Sequence, residues 1–363
     1  MVADLSAGVL WAYLQDLEVK WMHWSWMSTR NVHDVKWETG ELEWTWLSMN
    51  ELWQLVYGHM STLQVPPFLQ LLSGEQETPY IEAVFAHKDP LGHAHSLWWS
   101  SADVNTVVLF IPGNPGLAKF YTPFLSTLHA HTRKHNVAIL AHSLLGHAPL
   151  VKTKGNCGLS AQVQGTMEAI SSIKTTYPSA KLVLVGHSAF KNVPDEVHSL
   201  FLLFPTISNI GESPNGRRLQ WAFRPPAPYV ISKLSYILRL LPLSLVSAVY
   251  SHWPREQINV LLDLLNSPSS IFTCLSMAHE EMNTIRRLET EVLAANKEKL
   301  HFYFADHDNW VGKEKEIILR CFDGDPDSVK IVHGRHGIPH AFCINHGEEL
   351  GKVCANWISR ILN

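Results

Sequence analysis

Leu182-Val183-Leu184-Val185-Gly186-His187-Ser188 is an apolar, partly β-branched run that ends in glycine, histidine and serine. Four apolar residues without polar alternation have the pattern of a strand covered on both faces, as strands of a parallel sheet are. A strand that turns sharply at a serine into a helix lifts the hydroxyl clear of the sheet in a strained elbow. Gly186 carries no side chain to block that turn. Serine alone is a poor nucleophile, so the reading requires a base, and a carboxylate to orient the base.

Both occur downstream, each just after a buried run. Phe302-Tyr303-Phe304-Ala305 delivers Asp306, His307 and Asp308, and Val329–Val332 is followed by Ile338-Pro339-His340-Ala341-Phe342. The chain order serine, acid, histidine is that of α/β-hydrolases. Taken singly, His340 is one of 21 histidines. The order of the three, and their placement at strand ends, carries the inference. Asp308 is the expected acid and Asp306 the fallback, since both can reach the site; Asp306 has a second reading as the cap of the following helix. Acyl transfer also needs donors for the oxyanion. Val107–Ile111 leads into Pro112-Gly113-Asn114-Pro115-Gly116, either a simple tight turn or a donor loop. Pro115 has no N–H, which makes Asn114 the expected first donor and Ala189, after the nucleophile, the second.

Outward from these motifs the chain alternates. Strands are expected at Tyr80–Ala86, Ser96–Trp99, Val107–Ile111, Val137–Ala141, Leu182–Val185, Leu200–Phe204, His301–Ala305 and Val329–Val332. Between them, Leu159, Val163, Met167, Ile170, Ile173 and Tyr177 recur at helical spacing, and Pro178 stops that helix. Further helices are expected from Tyr121 to about His135, over Lys313–Cys321 and over Glu348–Leu362. The alternation predicts an α/β-hydrolase fold, a mostly parallel doubly wound sheet with a helical cap or lid inserted. Residues 61–207 and 291–363 form its two parts and 208–290 the cap. Sites in such sheets lie at the carboxyl ends of strands.

The composition narrows the function classes. A formal charge of −4 and the lack of any long Lys/Arg run argue against a nucleic-acid partner. The histidines lack metal-ligand spacing, and nothing calls for a metal or cofactor. Cys157, Cys274, Cys321, Cys343 and Cys354 are widely spaced without a Cys-x-x-Cys pair, and are expected as reduced core thiols of an intracellular protein. No secretory signal pattern opens the chain, and no uncharged apolar run is long enough for a transmembrane span. Residues 1–60 differ from the rest: Trp11, Trp21, Trp24, Trp26, Trp37, Trp44, Trp46 and Trp53 fall there, with no proline before Pro66. They read either as a membrane-interface element or as a segment foreign to the natural protein, with translation starting at Met60; the second reading is favoured.

With these residues in hand, the chain from about Met60 to Asn363 resembles the lipid droplet-associated hydrolase family. The resemblance lies in Phe110–Gly116 with Phe120-Tyr121, Leu182–Ser188, Phe201-Leu-Leu-Phe-Pro-Thr-Ile207, Glu212-Ser-Pro-Asn-Gly216, Asp308-Asn-Trp310 and Ile338–Phe342. It implies a hydrolase of the lipid droplet surface, linked to sterol ester turnover and lipid storage, with an endoplasmic reticulum or cytosolic pool besides. It also implies Ser188, Asp308 and His340 as nucleophile, acid and base, and a lipid ester as substrate.

The departure from the family is local. The family continues its elbow as Gly-His-Ser-x-Gly and then a full helix, whereas here Phe190 stands at the glycine position and Pro194 interrupts the short stretch before Leu200. A parallel crossover takes a dozen residues or more. The expectation is one short turn, a poorly covered sheet on that side and low activity, as an altered gene model or splice variant would give. The most apolar part of the insertion, Tyr229–Tyr250, is interrupted by Pro242 and carries Lys233 and Arg239. Too short and charged to span, it suits docking on the droplet monolayer. An ordinary cap covering the site is the alternative, and the two are compatible.

Overall fold

Strand β4 (Thr106–Ile111) lies in the middle of the sheet, and all its residues are buried. The alternation of a strand distributes them: Val108 and Phe110 enter the core on one face, Val107, Leu109 and Ile111 the core on the other. A strand packed on both faces has no polar side, which is why the sequence shows a continuous apolar run. The computed structural model describes residues 65–72, 79–153, 155, 157–188, 194–238, 249–322, 329–334 and 337–363. The Trp-rich stretch 1–60 lies outside the described residues.

Nine strands form one sheet in the order β1-β2-β3-β5-β4-β6-β7-β8-β9. β1 (Leu69–Leu71), β2 (Ile81–Ala86) and β3 (His93–Trp99) pair antiparallel with one another and with β5 (Val137–His142). From β5 onward, β4, β6 (Lys181–His187), β7 (Val197–Leu203), β8 (Leu300–Phe304) and β9 (Lys330–His333) run parallel. The strand order reverses at β4, which has β5 on one side and β6 on the other. A crevice opens at such a switch point. The loops after β4 and β6 meet there, with Ile111 opposite Gly186.

Helices cover the two faces. α1 (Thr122–Thr132) packs against α9 (Gly347–Leu362), and a Cβ on Gly351 would stand 2.7 Å from the Phe124 carbonyl oxygen, so the contact requires glycine. α2 (Leu159–Thr176) lies on the other face; Ile170 and Ile173 enter the same core as Leu182 and Leu184. Between β7 and β8 come α3 (Pro214–Phe223), α4 (Ala227–Leu238), α5 (Arg255–Leu265), α6 (Pro268–Thr284) and α7 (Thr290–Ala295). Described residues 208–290 hold no strand. No single helix among the described residues is long and apolar enough to cross a membrane.

Three differences from the sequence expectations have physical reasons. β3 starts at His93, ahead of the expected Ser96, because the buried His95 is satisfied internally, 3.4 Å from Ser143 Oγ and 3.5 Å from Glu82. Ser96 Oγ bonds His142 Nδ1 at 3.1 Å, His142 Nε2 bonds His87 Nε2 at 3.1 Å, and His87 Nδ1 bonds Glu168 at 3.0 Å. β7 starts at Val197 rather than Leu200, which shortens the connection from Ser188 to residues 189–196. All five cysteines are free thiols, yet only Cys274 and Cys354 are buried; Cys321, just past the end of α8 (Glu314–Arg320), is exposed and not a core thiol.

Candidate active site

Ser188 stands where β6 ends, with φ at +74°. A non-glycine residue keeps this left-handed backbone only where its surroundings over-determine it. They do so from the end of β7: the Ser188 N–H donates to Leu203 O at 3.1 Å, and Ser188 O accepts from the Thr206 N–H at 2.7 Å. The side chain is held as well, with Ser188 Oγ 2.8 Å from Thr206 Oγ1. Thr206 is buried, and its part in the site was not foreseen from sequence. Its only signal was membership of the Phe-Pro-Thr-Ile segment, which carries no chemistry of its own.

His340 and Asp308 meet as expected, His340 Nδ1 lying 2.9 Å from Asp308 Oδ2. The other carboxylate oxygen accepts from the Trp310 N–H at 2.8 Å and the Val311 N–H at 3.1 Å. Burial works against the charge on Asp308, but His340 and these two amides outweigh it and hold the carboxyl below its ordinary pKa. An ionised Asp308 fixes the proton on His340 Nδ1 and leaves Nε2 as the unprotonated nitrogen, while Ser188 Oγ is bonded to Thr206. Asp306, the fallback acid, is exposed and makes no hydrogen bond to His340. Nor does it cap a helix, since α8 starts at Glu314 with Lys313 at its cap. The Glu212–Gly216 segment acquires a role here: the Asn215 N–H donates to Asn309 O at 3.0 Å and buttresses the acid loop.

His187 ties the two halves together. Its Nε2–H donates to the His340 carbonyl at 3.1 Å, which makes Nδ1 an acceptor for the Tyr121 hydroxyl at 2.8 Å. Burial, with His340 beside it, keeps the ring well below the usual histidine pKa and therefore neutral, as this bonding requires. Room for the ring depends on Gly113, where a Cβ would stand 2.8 Å from His187 Nδ1. Neither His187 nor Tyr121 was expected to take part.

The loop after β4 is more than a tight turn. Asn114 Nδ2 donates to the Cys274 carbonyl on α6 at 2.8 Å, and the Gly116 N–H donates to His147 Nδ1 at 3.0 Å. Asn114 is thereby fixed at the rim of the crevice; Ala189, the other expected donor, lies outside the described residues. Two cavities flank this rim. One is lined by Ser188, His340 and residues of the helices between β7 and β8. The other runs along α2 and is lined also by Pro194. Asn114, His187 and Glu281 line both. Burial and the neighbouring Glu280 push the Glu281 carboxyl up to about 7, against its hydrogen bond with Asn114. Among the described residues no cluster of His, Cys, Asp and Glu could hold a metal ion.

Solved structures similar to this chain are α/β-hydrolases. A peroxisomal α/β-hydrolase from Saccharomyces cerevisiae matches with a TM-score of 0.51 and 12% identity, covering 82% of this chain and 90% of that one. A bacterial membrane phospholipase A matches at 0.53 and 13%, covering 78% and 87%. At these identities the likeness shows the fold, and it agrees with the mostly parallel sheet. Sequence relatives are more specific. The lipid droplet-associated hydrolase of Homo sapiens is 32% identical over 289 residues, 69% of this chain and 83% of that protein. That of Drosophila melanogaster is 26% identical over 285 residues, 70% and 89% of the two chains. The family model for lipid-droplet associated hydrolases matches residues 104–343, a span that runs from β4 past His340. By fold, by sequence and by the extent of that match, this chain belongs to the lipid droplet-associated hydrolase family.

Proposed function

We propose that this chain is a serine ester hydrolase acting on hydrophobic lipid esters, sterol esters among them, at the surface of lipid droplets. One observation carries the reading: Asp308 fixes His340, and His340 lines the cavity that Ser188 enters on a left-handed elbow. His340 Nε2 takes the Ser188 proton as Oγ forms its bond to the ester carbonyl carbon. The Asn114 main-chain N–H, with that of Ala189, stabilises the oxyanion. The bond to the alcohol oxygen then breaks as that oxygen receives the proton from His340. Water, activated by the same ring, releases the acid and restores the serine. Residues 61–207 and 291–363 serve as the catalytic core, and 208–290 as its lid.

The droplet surface is supported by α4. Tyr229, Val230, Leu234, Tyr236 and Ile237 are exposed on it, and Trp221 is exposed on the neighbouring α3. Lys233 Nζ lies 5.3 Å from the Tyr229 ring and 5.8 Å from the Tyr236 ring, a stem-along-aromatic arrangement suited to an interface. Residues 239–248, including Arg239 and Pro242, lie outside the described residues. Deleting Tyr229–Tyr250 is expected to release the protein from droplets into the cytosol with the sheet still folded. Undiminished droplet binding would place the anchor elsewhere, the Trp-rich N-terminus first. The same preparation tests the chemistry: hydrolysis of an emulsified long-chain ester that survives Ser188→Ala would remove the serine mechanism.

A second reading, a droplet-binding protein that keeps the fold without turnover, is favoured by the short connection after Ser188. Only residues 188–196 link β6 to the adjacent parallel β7, fewer than a crossover with a helix takes.

A further inference from the structure

We propose that the groove along α2 is an acyl-chain site, taking a linear long-chain acyl group while the cavity beside His340 takes the alcohol limb of the same ester. The assignment rests on the ester-hydrolase reading above. A lipid ester has two limbs, and two cavities meet at Asn114, beside the nucleophile. Mechanism decides which limb goes where. The leaving alcohol oxygen must receive its proton from His340, and His340 lines the cavity with Ser188 but not the groove. The acyl limb leaves the carbonyl in the other direction, past Asn114 and into the groove.

The groove suits such a chain. Leu200 and Leu202 of the sheet form its floor, Val163, Met167 and Ile170 of α2 one wall, and Met277 of α6 part of the other. The face over β6 and β7 is where a doubly wound sheet packs its crossover helix, and 189–196 are too few to supply one. Of the polar side chains along it, Gln162 and Thr166 are already satisfied, and Thr284, Arg287 and Glu289 line it as well. Gln162 bonds the Leu145 N–H at 2.8 Å and the Leu145 and Cys157 carbonyls at 3.0 and 2.8 Å, and Thr166 donates to Gln162 O at 2.9 Å. Most of its lining is aliphatic, and Asn114, His187 and Glu281 mark the end it shares with the cavity of Ser188, as in sites that orient one functional group and bury a tail. Each methylene buried there strengthens binding by about fourfold.

The test is binding of the fluorescent long-chain fatty acid cis-parinaric acid to the intact chain, with displacement by palmitate and by butyrate. Met167 is 42% exposed, so Met167→Trp narrows the groove without disturbing the core. Val163→Trp is a second blocking variant, and Ala278→Phe narrows the cavity beside His340 instead. Both blocking variants are expected to weaken parinarate binding at least about tenfold. Ala278→Phe is expected to leave it unchanged, and palmitate but not butyrate to displace the probe. Binding unaffected by both groove variants, or lost only with Ala278→Phe, would overturn the assignment. Esterase assays on the same proteins separate this from the underlying reading. Groove-dependent binding by a chain that hydrolyses no ester keeps the acyl site and removes the hydrolase. Ser188-dependent hydrolysis with groove-independent binding does the reverse.

Discussion

The proposed acid–base half of the site and the proposed nucleophile half are secured differently. Asp308 and His340 are braced on every side: the carboxylate takes three hydrogen bonds, the Glu212–Gly216 segment props its loop, and His187 holds the His340 carbonyl. Among the described residues, Ser188 is braced upstream and laterally, by β6 and by Leu203 and Thr206. Downstream, where hydrolases of this type place a helix, only residues 188–196 separate β6 from β7. Orientation of the base and presentation of the nucleophile are thus separable, and one can be complete while the other is curtailed.

The largest expected effect lies on the braced half. Asp308→Asn is expected to lower turnover by about four orders of magnitude, because the amide selects the wrong His340 tautomer. Asp306→Asn should change it little; the reverse ranking, measured as kcat on a soluble ester, would break the assignment. Next comes the curtailed half. Inserting a helix of about ten to twelve residues after Ser188, opening with a pair of small residues, is expected to raise kcat. The gain should be about 10²–10³-fold, the value of one oxyanion donor. An unmodified chain already as fast as its extended version would show that the short elbow is tolerated.

Smaller effects sharpen the contrast. Thr206→Val removes the lateral hydroxyl and is expected to lower kcat about tenfold with KM little changed, with rescue by Thr206→Ser. Tyr121→Phe leaves the buried His187 Nδ1 without its donor and should cost about 1–3 kcal/mol in urea unfolding, with kcat falling less than for Thr206→Val. Glu281 gives a pH signature. Its folded pKa of about 7 lies above its ordinary value of 4.5, so the wild type loses stability as pH rises from 4.5 toward 7 and is flat above that. Glu281→Gln lacks this loss, and its relative stability should grow across that window in thermal melts at stepped pH.

Much of the sheet was legible because its central strands are continuous apolar runs, and the proposed triad was read from the same placement, each member following one. The missing parts share a cause. β1 is three residues long, and β3 begins among histidines, of which His95 finds its partners on neighbouring segments, at Ser143 and Glu82. Thr206, Tyr121 and His187 acquire their roles only when β4, β6 and β7 are brought side by side. A hydroxyl in Phe-Pro-Thr-Ile or a tyrosine after a helical turn has no local pattern that announces a partner. Asp308 and Asp306 were separable only by geometry: two residues apart in sequence, one turns toward His340 and the other toward solvent.

The most direct test of the central claim is labelling of the intact chain with a fluorophosphonate probe, which reports an activated serine whatever the substrate. Labelling at Ser188 is predicted, slow, abolished by Ser188→Ala and strongly reduced by His340→Ala. No labelling of protein shown to be folded by circular dichroism, or labelling that persists in Ser188→Ala, would contradict it.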